Sequence, residues 1–203
     1  MFVQLIEGKV SDAGQLRRAV DKWYEEVAPG AIGWLGSTGG VTDDGRAIAV
    51  VRFESADAAA RNSQRPEQTR WWEETQRLYD GEVTFLDSED VILDLSGDPD
   101  RAGFVQVMQG QVTDPARAKE LMAQFTQDAM REFRPDVLGS VMIGHDDGRW
   151  TQVLYFTSEA EAREGERKEP PLEFQAVMEQ LTKISVGETE FIDLRQPAMH
   201  SPG

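Results

Sequence analysis

Two segments of this chain read Asp-Asp-Gly-Arg, at 43–46 and at 146–149. Two carboxylates beside a guanidinium have the charges to hold a cation or grip a charged substrate. The same residues also build a hairpin: Asp-Gly tolerates positive φ, and charged neighbours solvate the tip. Duplication favours the hairpin reading, since folding then requires both copies. His145 stands just before the second segment. As a general base or ligand it would need burial and an orienting partner. Its place at a turn argues for exposure, and Thr42 occupies the matching position in the first copy. His200, the other histidine, lies near the end. Five tryptophans form a larger group, Trp23, Trp34, Trp71, Trp72 and Trp150. Within "RWWEE" (70–74) both rings cannot share one stripe, because adjacent helical residues point about 100° apart. One is expected in the core and the other towards a pocket, an interface or solvent. Gln4 and Gln106 interrupt otherwise apolar strands, and a buried amide needs partners. A bridge between the two halves is the favoured expectation; contact with a ligand is the alternative.

Composition removes several chemistries. There is no cysteine, hence no disulfide, thiolate metal site or Cys nucleophile. Two histidines cannot build a His-rich metal cage, so no metal site is expected. The chain carries 37 acidic against 21 basic residues, a formal net charge of −16, which disfavours nucleic acid as a partner. No run approaches 18 apolar residues, so no membrane span is expected. The N-terminal segment lacks the pattern of a signal peptide, and a cytoplasmic location is expected. No Gly-rich phosphate loop, G-x-S-x-G elbow or H-E-x-x-H pair is present, and no cofactor is expected. No motif decides whether the chain is an enzyme.

The elements that must position these residues are duplicated. "FVQLIEGKVSD" (2–12) and "FVQVMQGQVTD" (104–114) agree at six of eleven positions. The correspondence continues in order through "EVAPGAIG" and "EFRPDVLG", the two Asp-Asp-Gly-Arg turns, and the closing "VILDL" (91–95) and "EFIDL" (190–194). The sequence therefore divides into repeats at 1–95 and 104–195, a Gly/Pro/Asp-rich linker at 96–103 and an unpacked tail at 196–203. Within each repeat a strand (2–9) precedes a helix capped by Ser11 or Thr113. The stripes of these helices are Leu16, Val20, Trp23, Val27 and Ala118, Leu121, Met122, Phe125, Ala129. Strands at 31–38 and 46–54, and at 137–144 and 149–157, flank the turns. Second helices start at Ser55 and Ser158, the latter with a Ser158/Glu161 capping box, and are broken by Pro66 and by Pro170-Pro171. Divergence is concentrated at Trp71 against Phe174 and Trp34 against Ser140.

The order β-α-β-β-α-β, twice, is α+β and tandem ferredoxin-like. Val51 and Phe53 lie on one face of a hairpin strand, Ile48 and Val50 on the other, so both faces need cover. On this order and repeat, the sequence resembles the dimeric α/β-barrel superfamily, antibiotic biosynthesis monooxygenase-like, with two units fused in tandem. The resemblance implies an intramolecular α/β barrel of about eight strands, antiparallel sheets face to face and helices outside. It implies a pseudo-dimer within one chain, monomeric or homodimeric. It also implies a ligand cavity between helices and sheet, for which Trp23, Tyr24, Trp34, Asn62, Trp71 and Trp72 are candidates, with His145 and Trp150 in the second repeat. The expected function is binding of a small apolar or aromatic molecule; the alternative is a cofactor-independent monooxygenase. A degenerate haem-binding protein is disfavoured, since haem-degrading relatives call for Asn, Trp and His in one pocket and the first repeat has no His.

Overall fold

The computed structural model describes residues 1–95 and 97–202; positions 96 and 203, the first of the expected linker and the last of the expected tail, lie outside them. In chain order the first repeat forms β1 (Phe2–Lys9), α1 (Ala13–Glu26), β2 (Trp34–Val41), β3 (Arg46–Phe53), α2 (Ala56–Ser63), α3 (Pro66–Thr75), β4 (Thr84–Ser88) and β5 (Val91–Asp94). The second forms β6 (Phe104–Val112), α4 (Pro115–Met122), α5 (Gln127–Phe133), β7 (Val137–Gly144), β8 (Arg149–Phe156), α6 (Glu159–Glu166), α7 (Leu172–Ile184), β9 (Ser185–Leu194) and β10 (Ala198–His200). The strands make two five-stranded antiparallel sheets, β10-β2-β3-β1-β4 and β5-β7-β8-β6-β9. This is the expected tandem ferredoxin-like α+β fold. The sheets are two separate hydrogen-bonded structures with open edges, not one closed barrel, and hold ten strands instead of eight.

The chain folds as two compact units, residues 1–91 with 194 onward, and residues 92–193. The extra strands are β5, split from the closing strand of the first repeat, and β10, which follows the second. Within 196–203, expected to be an unpacked tail, residues 198–200 instead form β10, which pairs with β2 through Ala198↔Gly39, Met199↔Thr38 and His200↔Ser37. An exposed sheet edge offers a row of unpaired backbone groups, and β10 satisfies them. The closing strand of the first repeat is split: Ser88 Oγ accepts from Asp90 N at 3.0 Å, turning the chain, and β5 joins the second sheet.

Strand alternation sorts side chains cleanly. Gln4 opposes Val51, Ile6 opposes Ala49 and Phe2 opposes Phe53, so these share the helix-facing side of the first sheet. Val3, Leu5, Ile48 and Val50 lie on the opposite side and are buried too. The second sheet repeats this with Val105, Val107, Val141, Ile143 and Val153. Each such side chain contributes roughly 1.5–3 kcal/mol on burial.

Helix starts fall one residue later than expected. Asp12 and Asp114, not Ser11 and Thr113, are the N-caps, accepting from Gln15 N and Arg117 N at 2.9 Å each. A carboxylate reaches the third-position N–H of these turns and carries the charge that a helix N-terminus favours. Ser55 and Ser158 cap α2 and α6 as expected, with Ser158 Oγ and Glu161 linked both ways. The first helix of the second repeat is broken into α4 and α5, because Thr126 caps a new start by accepting from Ala129 N. A β-bulge follows both Trp34 and Val137, which pair with Phe53 and Phe156 respectively. The counterpart of Trp34 is therefore Val137 and not Ser140.

Both Asp-Asp-Gly-Arg segments act as turns. Thr42 Oγ1 accepts from Arg46 N at 2.9 Å and donates to Asp44, whose carboxyl that bond holds below the usual range. In the second copy Arg149 binds Asp147 at 2.9 Å, which lowers Asp147 likewise. Gly45 has φ +86° and Gly148 +78°. A Cβ on Gly45 would stand 2.6 Å from Val10 O, against backbone that cannot give way. Gly45→Ala is expected to destabilise the protein by roughly 1–3 kcal/mol, measured by urea unfolding; an unchanged midpoint would show that the turn relaxes freely.

Candidate binding site

The floor of the first sheet on its helix-facing side is made of small residues. Ala47 and Ala49 on β3 and Gly39 on β2 stand in register there. α1 and α3 cannot close onto this floor, because Leu16, Val20 and Trp23 from α1 and Trp71 and Trp72 from α3 hold them off. The result is a cavity of about 540 Å³ inside the first unit, between helices and sheet. In the second unit Trp150, Gln152 and Met142 occupy the positions of Ala47, Ala49 and Gly39. The Trp150 ring lies over Gly110, where a Cβ would meet it at 2.7 Å.

The cavity walls are aromatic. Trp23 and Trp71 have ring centroids 6.2 Å apart, Trp71 and Trp72 6.1 Å, and Trp72 and Tyr79 6.2 Å. The tilted and edge contacts suit the ring quadrupoles. Trp71 is fixed by Nε1 donating to Ala19 O at 2.7 Å, while Trp72 packs on Tyr79 and on Phe85. Both adjacent tryptophans thus reach one cavity from different angles. Tyr79 lies across Gly8, whose missing side chain makes room for its ring. Burial pushes the Tyr79 phenol up to about 12, since little water reaches the phenolate.

Asn62 is the polar centre. It is only 2% exposed and lines the cavity. Its Oδ1 accepts from Ile32 N at 3.1 Å and from Arg65 Nη1 at 3.1 Å. Arg65 is itself held on Val27 O at the end of α1. With Oδ1 committed, Nδ2 has no protein acceptor among the described residues. Gln68 repeats the pattern: Oε1 accepts from Trp23 Nε1 at 2.7 Å, leaving its Nε2 without one. The second repeat replaces Asn62 by Gly165, and the Arg134 guanidinium fills that space. Arg134 is paired there with buried Asp136 at 2.7 Å and donates to Ala162 O. One half therefore keeps an amide facing a cavity where the other has a closed ion pair.

Of the eight sequence candidates, Trp23, Asn62, Trp71 and Trp72 line this cavity. Trp34 packs beside it in the core with Phe2, Val27, Ala28 and Phe53, and its Nε1 is buried without a partner. Tyr24 is 39% exposed and stacks on His200 at 4.5 Å. His145 and Trp150 belong to the second unit, where His145 Nε2 lies 2.9 Å from Thr151 Oγ1. Among the described residues no histidine lines the cavity. Gln4 also lines it, and its Nε2 donates to Asp87 Oδ1 at 2.9 Å, as Gln106 does to Asp193 at 3.0 Å. The expected bridge between halves is thus a cross-strand pair inside each unit. Sequence reading missed Gln68, Thr75 and Tyr79. Gln68 and Thr75 share a helical face with Trp71 and Trp72, a signal that was available; Tyr79 follows the helix and gave none. Among the described residues, no group of three or more acidic or histidine side chains is placed to hold a metal, and no helix is long and apolar enough to cross a membrane.

No family model matches the sequence, and no curated protein does. Solved structures share the fold along the whole chain. A candidate monooxygenase of Lactobacillus acidophilus matches with TM-score 0.76 at 12% identity, over 98% of this chain and 95% of that one. A candidate monooxygenase of Fusobacterium nucleatum matches with TM-score 0.75 at 10% identity, over 100% and 94%. An anthrone oxidase-like protein matches with TM-score 0.65 at 11% identity, over 98% and 92%. At such identities the likeness is one of fold.

Two outcomes follow from the wall of the cavity. Trp34→Phe removes an unsatisfied buried N–H and should cost about 1–2 kcal/mol less than Trp23→Phe, which breaks a made bond; equal urea midpoints would contradict this. For Tyr79 the unfolded phenol titrates at about 10 and the folded one at about 12. The folded state retains a proton that the unfolded state loses, so stability is full below pH ~10 and falls between there and ~12. Tyr79→Phe should flatten that fall; the same decline in both proteins would assign it to other groups.

Proposed function

We propose that the first unit binds a planar aromatic small molecule carrying a carbonyl or hydroxyl oxygen. The observation that carries this reading is Asn62: a nearly fully buried amide, its oxygen pinned by two donors, its Nδ2 left facing an aromatic-walled cavity. With its oxygen held, the amide N–H is the group that a ligand oxygen can accept from, in exchange for water. The tryptophan rings offer flat apolar surface to a ring system, and 540 Å³ lies within the range of small-molecule sites.

A second reading, oxygenation without a cofactor, is supported by the fold shared with candidate monooxygenases and an anthrone oxidase-like protein. A ring-activated methylene would lose a proton to give a delocalised anion, which reduces dioxygen directly; the methylene becomes a carbonyl and water leaves. The Asn62 amide would donate to the developing oxyanion, and the walls would keep water away.

Titration with anthraquinone, followed by tryptophan fluorescence, should quench saturably, and Trp72→Ala should weaken binding about tenfold. Absence of saturable quenching would reject the binding reading. Oxygen uptake with anthrone, lost in Asn62→Ala, would support the second reading; binding without uptake would remove it and leave the first.

A further inference from the structure

We infer that the ligand of this cavity is an anion, an aromatic acid whose carboxylate or similar group sits at the mouth formed by Arg17 and Arg195. This rests on the proposed aromatic binding and adds the charge of the molecule bound.

The charged side chains that line the cavity are Arg17, Arg195 and Asp43. Two guanidiniums against one carboxylate is the reverse of the chain as a whole, where acidic residues outnumber basic ones 37 to 21. A cavity whose charged lining opposes the protein's overall charge is selective: the general field repels anions, while this lining attracts them. Of the neighbouring carboxylates, Asp44 and Asp12, which accept from Thr42 and Gln15, lie outside the lining, and Asp43 within it is ion-paired with Arg195. Arg17 Nη1 reaches only Gln196 O, at a long 3.5 Å, which leaves most of its five donors available.

The two arginines arrive by different routes. Arg17 stands on the first turns of α1. Arg195 follows β9 and is placed by β10, which docks on β2 two residues beyond Gln196. The C-terminal segment thus supplies one side of the mouth, with Arg195, Gln196 and Ala198 all lining the cavity. Asn62 and Gln68 present N–H donors deeper inside. The lining as a whole offers amide and guanidinium donors to an oxygen-bearing, negatively charged molecule, and one exposed carboxylate to a cation. Guanidinium binds carboxylate through paired N–H donors, and such charge-assisted bonds are stronger than neutral ones.

The test compares anthraquinone-2-carboxylate with anthraquinone-2-carboxamide, nearly equal in shape and unequal in charge, by tryptophan fluorescence on the whole protein. The acid is expected to bind about fivefold or more tightly, a preference that shrinks as salt is raised. Arg17→Gln and Arg195→Gln should each reduce the preference and the double variant abolish it, with Arg195→Lys restoring part. Equal binding of acid and amide, or a preference that survives in the double variant, overturns the inference while leaving aromatic binding in place. Failure of both compounds to bind overturns the proposed function and this inference together.

Discussion

The volume of side chains on one face of a sheet decides what this molecule can hold. A four-stranded ferredoxin-like sheet with two helices on it would normally be filled between the layers, because packed interiors leave few voids larger than a water molecule. In the first unit the floor is Ala47, Ala49 and Gly39, and the helices meet it through tryptophans too large to follow the floor inward. The space that remains is a consequence of mismatch between small strand residues and large helix residues. The second unit has the same strands and register with Trp150, Gln152 and Met142 on its floor.

Polar groups then give that space its character. Asn62 and Arg134 fill one corresponding space beside the second helix of each repeat in two ways. In the first unit Arg65 binds the carbonyl of Val27, and Asn62 is held by Arg65 and Ile32 with its Nδ2 left over. In the second, Arg134 is neutralised by Asp136 and donates to Ala162 O. A buried pair with satisfied donors stabilises structure; a buried amide with one unused end is available to a ligand. The two halves thus share a scaffold and differ in whether its polar demands are met internally.

The C-terminal segment binds these themes together. β10 extends the first sheet beyond β2, its His200 stacks on Tyr24, and Arg195 is brought to the rim of the cavity with Asp43. Gln196, 179 positions from Arg17, and Arg195 beside it complete the same mouth, so this site depends on chain connectivity as well as on the repeat.

The sequence by itself determined the duplication, the order of elements, the α+β class, the hairpin role of both Asp-Asp-Gly-Arg turns and four of the cavity's aromatic and amide residues. Those features follow from local rules: alternation, helical stripes and turn chemistry act over a few residues and leave marks in the string. Trp34 went into the core because a bulge sets its register against Phe53, and register is a property of paired strands. The tail became a strand because an open edge was waiting for it, and Gln4 found Asp87 because β1 lies between β3 and β4. Only the tertiary structure decided that the first half is hollow on its helix side, since a cavity is a difference between volumes on separate elements and no single segment records it.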